Sequence, residues 1–486
     1  MKKTLLHIVM CLALVAPLFS AGSVGATGAG KGSPSQSISL ASPLIFPDWT
    51  GESDLGAAIF GAAVASAGDV NGDGYDDVIV GAPYASNSQL EEGRAYVYHG
   101  SASGPMPLPA WIFESNTEEG EVGWSVASAG DVNGDGFKDV IVGAPYFSND
   151  LTREGRAYVF YGSATGLATS PAWMDEGDQA QARFGMGVAS AGDVNKDGYD
   201  DIIVGAPWYA HPESNEGMAF VYYGSATGLS VNPDWTAESN MNWTGLGWSV
   251  ASAGDVNGDG YSDVIIGAEH LDNPELAEGG AYVYHGSASG LSSLPAWAYE
   301  SNQVEAHFGD SVATAGDVNG DGFSDIIVGA FWYDNGEENE GRVYVFHGSP
   351  TGLSVLPSWT VESDKNYAEF GHSVASAGDV NGDGFSDVII GAPWFSNDEN
   401  FEGRAYLYYG SNTGLLSAPA GMAEGNQVSA NFGSSVASAG DVNGDGLDDI
   451  IIGAQNFDHG QENEGRVYVF HGGVKYQVFL PLTMKN

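Results

Sequence analysis

The sequence has little cysteine, little positive charge and few long apolar runs. Its 486 residues include one cysteine, Cys11, so the chain forms no internal disulfide and needs core burial, bound metal or both for stability. Lys and Arg number 15 against 63 Asp and Glu, which gives a formal net charge of −48. Because nucleic-acid binding depends on basic residues that neutralise phosphates, we expect no nucleic-acid partner.

The main apolar run lies at the N-terminus. Lys2 and Lys3 precede apolar residues 5–19, and small residues follow, an order typical of a secretory signal peptide. We therefore expect a signal peptide over residues 1–26, a flexible segment over 27–43, and a protein that is secreted or on the cell surface. The run is shorter than the roughly 18 apolar residues of a spanning helix, so no membrane span is expected.

The rest of the composition indicates a packed protein. The chain is 43% hydrophobic and 12% aromatic, which is too apolar for a chain that is disordered because of its charge. The excess of acidic residues therefore needs another explanation. A cation that binds many times along the chain would supply one.

An internal repeat dominates the sequence. The tripeptide Asp-Val-Asn recurs seven times at intervals of 62 residues, beginning at Asp69, Asp131, Asp193, Asp255, Asp317, Asp379 and Asp441. Each unit also contains a Pro-x-Trp segment and three β-branched or aromatic runs bounded by Gly, Asp or Pro, which is typical of four short strands. Since no segment has sustained helical periodicity, we predict an all-β, seven-bladed β-propeller of four-stranded antiparallel blades.

The repeated acidic loop has the pattern expected for a calcium ligand set. In residues 69–77, oxygen side chains occupy loop positions 1, 3, 5 and 9, and position 7 can add its backbone carbonyl. The loop is not an EF-hand, because position 12 is Val80 and the following residues are strand-like. We predict up to seven calcium ions, each bound in a loop between the first and second strands of a blade. Their role is expected to be structural, since seven like sites do not make one active centre.

The predicted metal residues are those at positions 1, 3, 5, 7 and 9 of each loop. They are Asp69, Asn71, Asp73, Tyr75, Asp77; Asp131, Asn133, Asp135, Phe137, Asp139; Asp193, Asn195, Asp197, Tyr199, Asp201; Asp255, Asn257, Asp259, Tyr261, Asp263; Asp317, Asn319, Asp321, Phe323, Asp325; Asp379, Asn381, Asp383, Phe385, Asp387; and Asp441, Asn443, Asp445, Leu447, Asp449. The third loop has Lys196 where the others have Gly, which predicts weaker binding there.

Two short motifs flank each loop and carry a family resemblance. Phe60-Gly61 before the loop and Gly81 to Pro83 after it resemble the FG-GAP repeat of the integrin α-subunit propeller, and the resemblance covers about residues 44–473. It implies a calcium-binding propeller, here of a secreted, bacterial-type form. Departures are local. Val122 and Leu246 replace the Phe, Glu269, Phe331 and Gln455 replace the Pro, and Met218 or Gly280 replaces a recurrent Arg.

The 12 tryptophans fall into two groups. Six follow the repeat, which predicts packing between blades: Trp49, Trp111, Trp173, Trp235, Trp297 and Trp359. Most of the others lie beside the FG and GAP motifs, in loops that the resemblance places on the face opposite the calcium loops. There the integrin α-subunit receives a basic residue of its partner in an aromatic cup. Trp124, Trp208, Trp248, Trp332 and Trp394 are therefore candidates for binding a protein or glycan ligand, or alternatively for plugging the channel.

No catalytic constellation stands out. His99, His285, His347 and His471 share one repeat position, which indicates a structural role. An extracellular recognition or adhesion module is the leading interpretation. The alternative is a secreted carbohydrate-active enzyme, such as a polysaccharide lyase, on a propeller scaffold.

The strand that completes the last blade has two candidates in the sequence. The Pro that marks the Trp segment occurs before the first unit, at Pro47, and again in the C-terminal tail, residues 474–486, at Pro481. By analogy with integrins, we expect the segment from Phe46 to Trp49 to pair with the strands of residues 433–472. The tail is the alternative.

Overall fold

The computed structural model describes residues 45–473, which form seven four-stranded antiparallel sheets arranged as the blades of a propeller. The predicted fold class is confirmed. The predicted signal peptide, the segment 27–43 and the C-terminal tail lie outside the described residues. Within residues 45–473 there is no helix long and apolar enough to cross a membrane.

The strands follow the repeat in chain order. Blade 1 has β2 (Ala63–Gly68), β3 (Asp77–Ala82), β4 (Arg94–Tyr98) and β5 (Trp111–Phe113); blade 2 has β6 (Ser125–Gly130), β7 (Asp139–Ala144), β8 (Arg156–Phe160) and β9 (Trp173–Glu176); blade 3 has β10 (Val188–Gly192), β11 (Asp201–Ala206), β12 (Met218–Tyr222) and β13 (Trp235–Glu238); blade 4 has β14 (Leu246–Gly254), β15 (Asp263–Ala268), β16 (Gly280–Tyr284) and β17 (Trp297–Glu300).

The remaining blades repeat this order. Blade 5 has β18 (Phe308–Gly316), β19 (Asp325–Ala330), β20 (Arg342–Phe346) and β21 (Trp359–Glu362); blade 6 has β22 (Ser373–Gly378), β23 (Asp387–Ala392), β24 (Arg404–Tyr408) and β25 (Gly421–Glu424); blade 7 has β26 (Phe432–Gly440), β27 (Asp449–Ala454) and β28 (Arg466–Phe470), completed by β1 (Trp49–Glu52). The innermost strands contact one another in the order β2, β6, β10, β14, β18, β22 and β26, and β26 contacts β2. The ring is therefore closed.

The N-terminal strand closes the ring. β1 pairs antiparallel with β28, with Trp49 opposite Val469 and Glu52 opposite Arg466. The expectation that the N-terminal Trp segment completes the last blade is thus confirmed.

The core lies between adjacent blades. Every residue of the second strand of each blade is buried, because these strands are covered on both faces by neighbouring blades. The periodic tryptophans pack there as predicted. Trp111, for example, lies edge-on to Phe160 of blade 2, with ring centroids 4.8 Å apart, and its Nε1 donates to the Ala168 carbonyl.

Candidate functional site

Each acidic loop is curled by its own side chains. In the first loop, Asp69 Oδ1 accepts the amide of Gly72 at 2.6 Å and its Oδ2 accepts that of Gly74 at 2.9 Å. Asn71 Oδ1 accepts the Asp73 amide, and Asp73 Oδ1 accepts the Tyr75 amide. Short Asp and Asn side chains make such bonds readily, which is why they recur in tight turns. The side chains at positions 1, 3 and 5 therefore have their oxygens directed at the loop.

The ninth-position aspartate is buried rather than exposed. Asp77 is fully buried, and its two oxygens accept the amides of Val70, at 3.1 Å, and Gly100, at 2.8 Å. Burial raises the pKa of Asp77 to about 7, and the charges of Asp73 and Asp69 add to the increase, whereas the two amide bonds lower it. The other six loops repeat this arrangement. Position 9 thus ties the loop to the end of the third strand.

Neighbouring loops are linked around the ring. The seventh-position ring of one loop packs on the fourth-position Gly of the preceding one, so that a Cβ on Gly72 would lie 2.6 Å from the Phe137 ring. The eighth position also bridges, since Asp200 Oδ2 accepts the Asp131 amide at 2.7 Å. The loops therefore form a continuous ring on one face of the propeller.

The third loop differs from the rest at Lys196. This residue has a φ of 60°, and its ammonium lies 5.4 Å from the ring centroid of Tyr261 in the next loop. In the other six loops, the Gly at this position donates its amide to the first Asp. Among the bonds of residues 45–473, Lys196 makes none of this kind. Loop 3 therefore has one fewer bond holding its first carboxylate.

The loop residues have the ligand chemistry that a hard cation requires, but their side-chain oxygens do not converge on a single point. Their donors are carboxylate and amide oxygens, which calcium prefers. Among the described residues, three groups of His, Asp and Glu have ligand atoms that all lie within 4.8 Å of one another, and none of the three belongs to an acidic loop. Binding by Asp69, Asp73 and Asp77 would require their carboxylates to approach further.

The opposite face carries the motif loops. Phe60 and Gly61 precede β2 and Pro83 follows β3, so both lie at the strand ends remote from the Asp loop. Residues of all seven blades line a cavity of about 640 Å³ at the channel mouth on this face. The position after the FG motif holds six different residue types in the seven blades, because only Trp occurs twice. Its occupants are Ala62, Trp124, Met186, Trp248, Asp310, His372 and Ser434.

We call the candidate tryptophans on this face, Trp124, Trp208, Trp248, Trp332 and Trp394, together with Trp243, the aromatic face. Trp124 and Trp248 line the channel cavity and are half-buried. The structure brings Trp208 together with two other members, at centroid distances of 6.5 Å to Trp243 and 6.3 Å to Trp248. Trp243, one of the non-periodic tryptophans but not among the predicted ligand-binding residues, is 57% exposed, and Trp394 is 43% exposed.

Trp248 Nε1 donates to Asp310 Oδ1 at 3.0 Å, and Trp332 is held in a similar way. Its Nε1 donates to Glu369 Oε1 at 3.1 Å, and its ring lies edge-on to His307, with centroids 4.8 Å apart. The aromatic face thus includes both packed rings and rings open to solvent.

Sequence reasoning missed a polar cluster beside these rings. Glu269, His270 and His307 come together where blades 4 and 5 meet. The histidines that follow the repeat period drew attention instead, and one of these, His99, packs against Gly166 of the next blade, while burial lowers its pKa. In the sequence, the cluster is marked instead by departures from the repeat, namely His and Glu at positions where the other repeats have other residues.

The profile of the FG-GAP repeat matches residues 60–98, 122–160, 184–222, 246–284, 308–346, 370–408 and 432–470, one match in each blade. The chain belongs to the FG-GAP repeat family. Each match runs from the FG motif to the end of the third strand, so it contains one acidic loop. The FG-GAP propeller of this chain is integrin-α-like, as its relatives indicate.

Three curated relatives illustrate this likeness. Integrin alpha pat-2 of Caenorhabditis briggsae is 34% identical over 240 residues, covering 44% of this chain and 19% of that protein. Integrin alpha-V of Gallus gallus is 33% identical over 220 residues, 43% of this chain and 20% of that protein. Phosphatidylinositol-glycan-specific phospholipase D of Rattus norvegicus is 29% identical over 412 residues, 75% of this chain and 47% of that protein. The matches span less than half the length of these relatives.

The structure explains why the FG-GAP motif is built on glycine. Gly81 of the GAP motif in blade 1 lies against Gly123 of the FG position in blade 2, and a Cβ on Gly81 would stand 1.9 Å from the Gly123 carbonyl oxygen. The Gly123 amide in turn donates to Gly143 at 3.0 Å. The two halves of the motif therefore meet across a blade boundary.

Proposed function

We propose that this FG-GAP propeller is an extracellular recognition module that binds a protein or glycan ligand through the aromatic face. The observation that carries the proposal is the group of half-exposed and exposed tryptophans beside the 640 Å³ cavity. Trp and Tyr side chains supply most of the binding energy at many interfaces, because they combine a large apolar area with a polar group. Likeness to integrin α-subunits supports an extracellular setting.

Two basic side chains on this face narrow the chemistry of the ligand. The Arg183 guanidinium lies 4.8 Å from the centroid of Tyr146 and 5.5 Å from that of Trp208, and Arg153 lies 5.4 Å from Tyr146. Guanidinium groups bind carboxylate and sulfate in a planar, two-pronged manner. We therefore favour a ligand that presents such anionic groups.

The test uses a glycan array with acidic and neutral oligosaccharides, printed alongside acidic peptides, with calcium present throughout. Trp243→Ala and Arg183→Ala are expected to weaken binding by about 2 kcal/mol, roughly 30-fold, as loss of an interface anchor does. Leu108→Ala is the matched control, since Leu108 is an exposed apolar residue between the third and fourth strands of blade 1.

Equal binding by all the variants would contradict the proposal, provided that their melting temperatures match that of the parent. The same acidic oligosaccharides serve to test the alternative of a polysaccharide lyase. Cleavage products in that assay, with no stable complex on the array, would favour the enzyme.

A second part of the proposal concerns calcium. We propose that the seven acidic loops bind calcium as structural braces, because their donors are oxygens and each loop holds three aspartates, at positions 1, 5 and 9, whose charges repel one another. Calcium would offset the repulsion among them. Isothermal titration of metal-free protein is expected to show up to seven ions, with the loop of Lys196 the weakest. Replacing Lys196 with Gly should raise the calcium affinity of loop 3 to that of the other six loops. A stoichiometry near zero for the parent protein would contradict the proposal.

A further inference from the structure

Three metal-binding side chains converge on the aromatic face where blades 4 and 5 meet. Glu269 and His270 follow β15, and His307 precedes β18. One ligand atom of each lies within 4.8 Å of the other two. Glu269 Oε1 is 3.0 Å from His307 Nδ1, and Glu269 Oε2 is 3.8 Å from His270 Nε2.

Two of these side chains are buried without complete hydrogen bonding. Glu269 is 5% exposed and His307 is 7% exposed. Nevertheless, Glu269 Oε2 and His307 Nδ1 have no hydrogen-bond partner. Glu269 Oε2 is 3.8 Å from His270 Nε2, and the 3.0 Å contact of His307 Nδ1 with Glu269 Oε1 does not have hydrogen-bond geometry. A buried polar atom left in this state destabilises the folded protein. A bound cation between them would satisfy both atoms.

The cluster is an addition to the scaffold and not part of the repeat. Glu269 stands where four of the other blades have Pro, and His270 follows it where three blades have Trp. His307 occupies the position before the FG motif, which in the other blades is filled by Ile59, Glu121, Arg183, Gly245, Glu369 and Asn431. The propeller folds around these positions in six other blades without such a group. The cluster is therefore not required by the fold.

The donor set selects the kind of ion. Two imidazoles and one carboxylate suit zinc and its first-row neighbours, whereas calcium takes oxygen ligands almost throughout. We propose that Glu269, His270 and His307 bind a divalent transition-metal ion of the zinc class. Three protein ligands leave a coordination position for water or for a group of a bound ligand. This site is independent of the acidic loops in both position and chemistry.

The surroundings of the cluster suit a fixed cation. The His270 ring lies 5.7 Å from Trp208 and 5.8 Å from Trp248, and the His307 ring lies 4.8 Å from Trp332. These rings restrict both imidazoles to a narrow range of orientations. Such support by neighbouring groups is typical of metal sites, where it orients the ligands.

The experiment is a zinc titration of the full mature chain by calorimetry, in excess calcium so that the acidic loops are filled. One tight zinc site is expected. His270→Ala and Glu269→Gln should each weaken it by at least about tenfold, since even loss of a supporting neighbour costs 10- to 100-fold. His270 is half-buried, so its replacement should leave the fold intact, and the melting temperature without zinc checks this.

His459→Ala is the matched control. His459 is exposed and belongs to a different group, with Glu52 and Glu464, which lies in blade 7 and not at the boundary of blades 4 and 5. Its replacement should leave zinc affinity unchanged. Cobalt provides a second readout, because its visible absorption reports imidazole ligation and should disappear in His270→Ala.

The proposal is overturned if no zinc binds in excess calcium, if His270→Ala and Glu269→Gln bind as the parent does, or if His459→Ala removes the site. It is also overturned if the cluster proves to be a metal-free ion pair. In that case His270→Ala would change neither zinc binding nor the cobalt spectrum.

Discussion

Single glycines decide how closely neighbouring blades approach. Gly81 and Gly123 meet where the GAP motif of blade 1 contacts the FG position of blade 2, and the same contact recurs around the ring, as between Gly453 and Gly61. Since the atoms of Gly123 that face Gly81 belong to the backbone, they cannot rotate away as a flexible side chain can. This contact accounts for the most constant feature of the repeat.

Replacing Gly81 with Ala tests this contact. The added Cβ would lie 1.9 Å from the Gly123 carbonyl oxygen, so we expect the free energy of unfolding to fall by about 3 kcal/mol or more. Gly56→Ala is the control, because its Cβ would make an ordinary 3.5 Å contact with the flexible Gln461 side chain. Urea unfolding of the two variants measures the difference. Equal stability would show that the blades separate easily.

Buried acidic groups make stability depend on pH. Glu121 is 8% exposed, and its Oε2 has no hydrogen-bond partner. Burial raises the pKa of Glu121 from 4.5 to about 7, with a further increase from Glu91 and a decrease from Arg153 and Arg183. Because the folded state disfavours the charged form, this group costs stability as the pH rises from about 4.5 to about 7.

The variant Glu121→Gln removes this cost. We expect it to match the parent at pH 4 and to be more stable by about 1–3 kcal/mol at pH 8. Melting curves at both pH values, compared with those of the exposed control Glu119→Gln, measure the effect. A gain at pH 4 equal to that at pH 8 would contradict the assignment.

At the scale of elements, β1 is the strand whose partner in its blade, β28, lies at the other end of the described chain. β1 supplies the outer strand of blade 7, and Trp49 lies edge-on to Tyr98 of blade 1, with centroids 5.1 Å apart. β1 therefore links the last blade to the first, because it is hydrogen-bonded to β28 of blade 7 and packs against Tyr98 of blade 1.

Two deletions distinguish this strand from the C-terminal tail. Removal of residues 45–52 exposes the β28 edge and the Tyr98 ring, and it should cost at least about 3 kcal/mol, as loss of a packed Trp does. Removal of residues 474–486 should leave the melting temperature unchanged, because β28 already has its partner. Loss of folding on the second deletion would contradict the assignment.

The sequence was sufficient for the elements but not for the candidate metal cluster. A fixed 62-residue period predicted the blades, the acidic loops and the Trp segment, because each blade solves the same packing problem. Glu269 and His307 are separated along the chain and meet only because β15 and β18 belong to adjacent blades. No local pattern reports such a meeting, and Glu269 stood out only as a departure from the repeat.

At the scale of the molecule, the seven loops carry a ring of aspartates on one face. Each occupied site at 100 times its dissociation constant adds about 2.7 kcal/mol of stability. Excess EDTA is therefore expected to lower the melting temperature by several degrees or more, and calcium should restore it where sodium at equal ionic strength does not. An unchanged melting curve in EDTA would contradict a structural role for calcium.

Ring closure by the N-terminal strand also fixes the order in which the molecule can be completed. Asp48 Oδ2 accepts the amide of His471, a residue 423 positions later in the chain. Contacts between residues so far apart in the chain slow folding, since the chain loses the entropy of loop closure before these contacts can stabilise it. A chain delivered N-terminus first carries β1 as an unpaired edge until its final blade arrives. A chain truncated before residue 466 lacks β28 and therefore cannot form the ring. Its exposed strand edges are accessible to proteases.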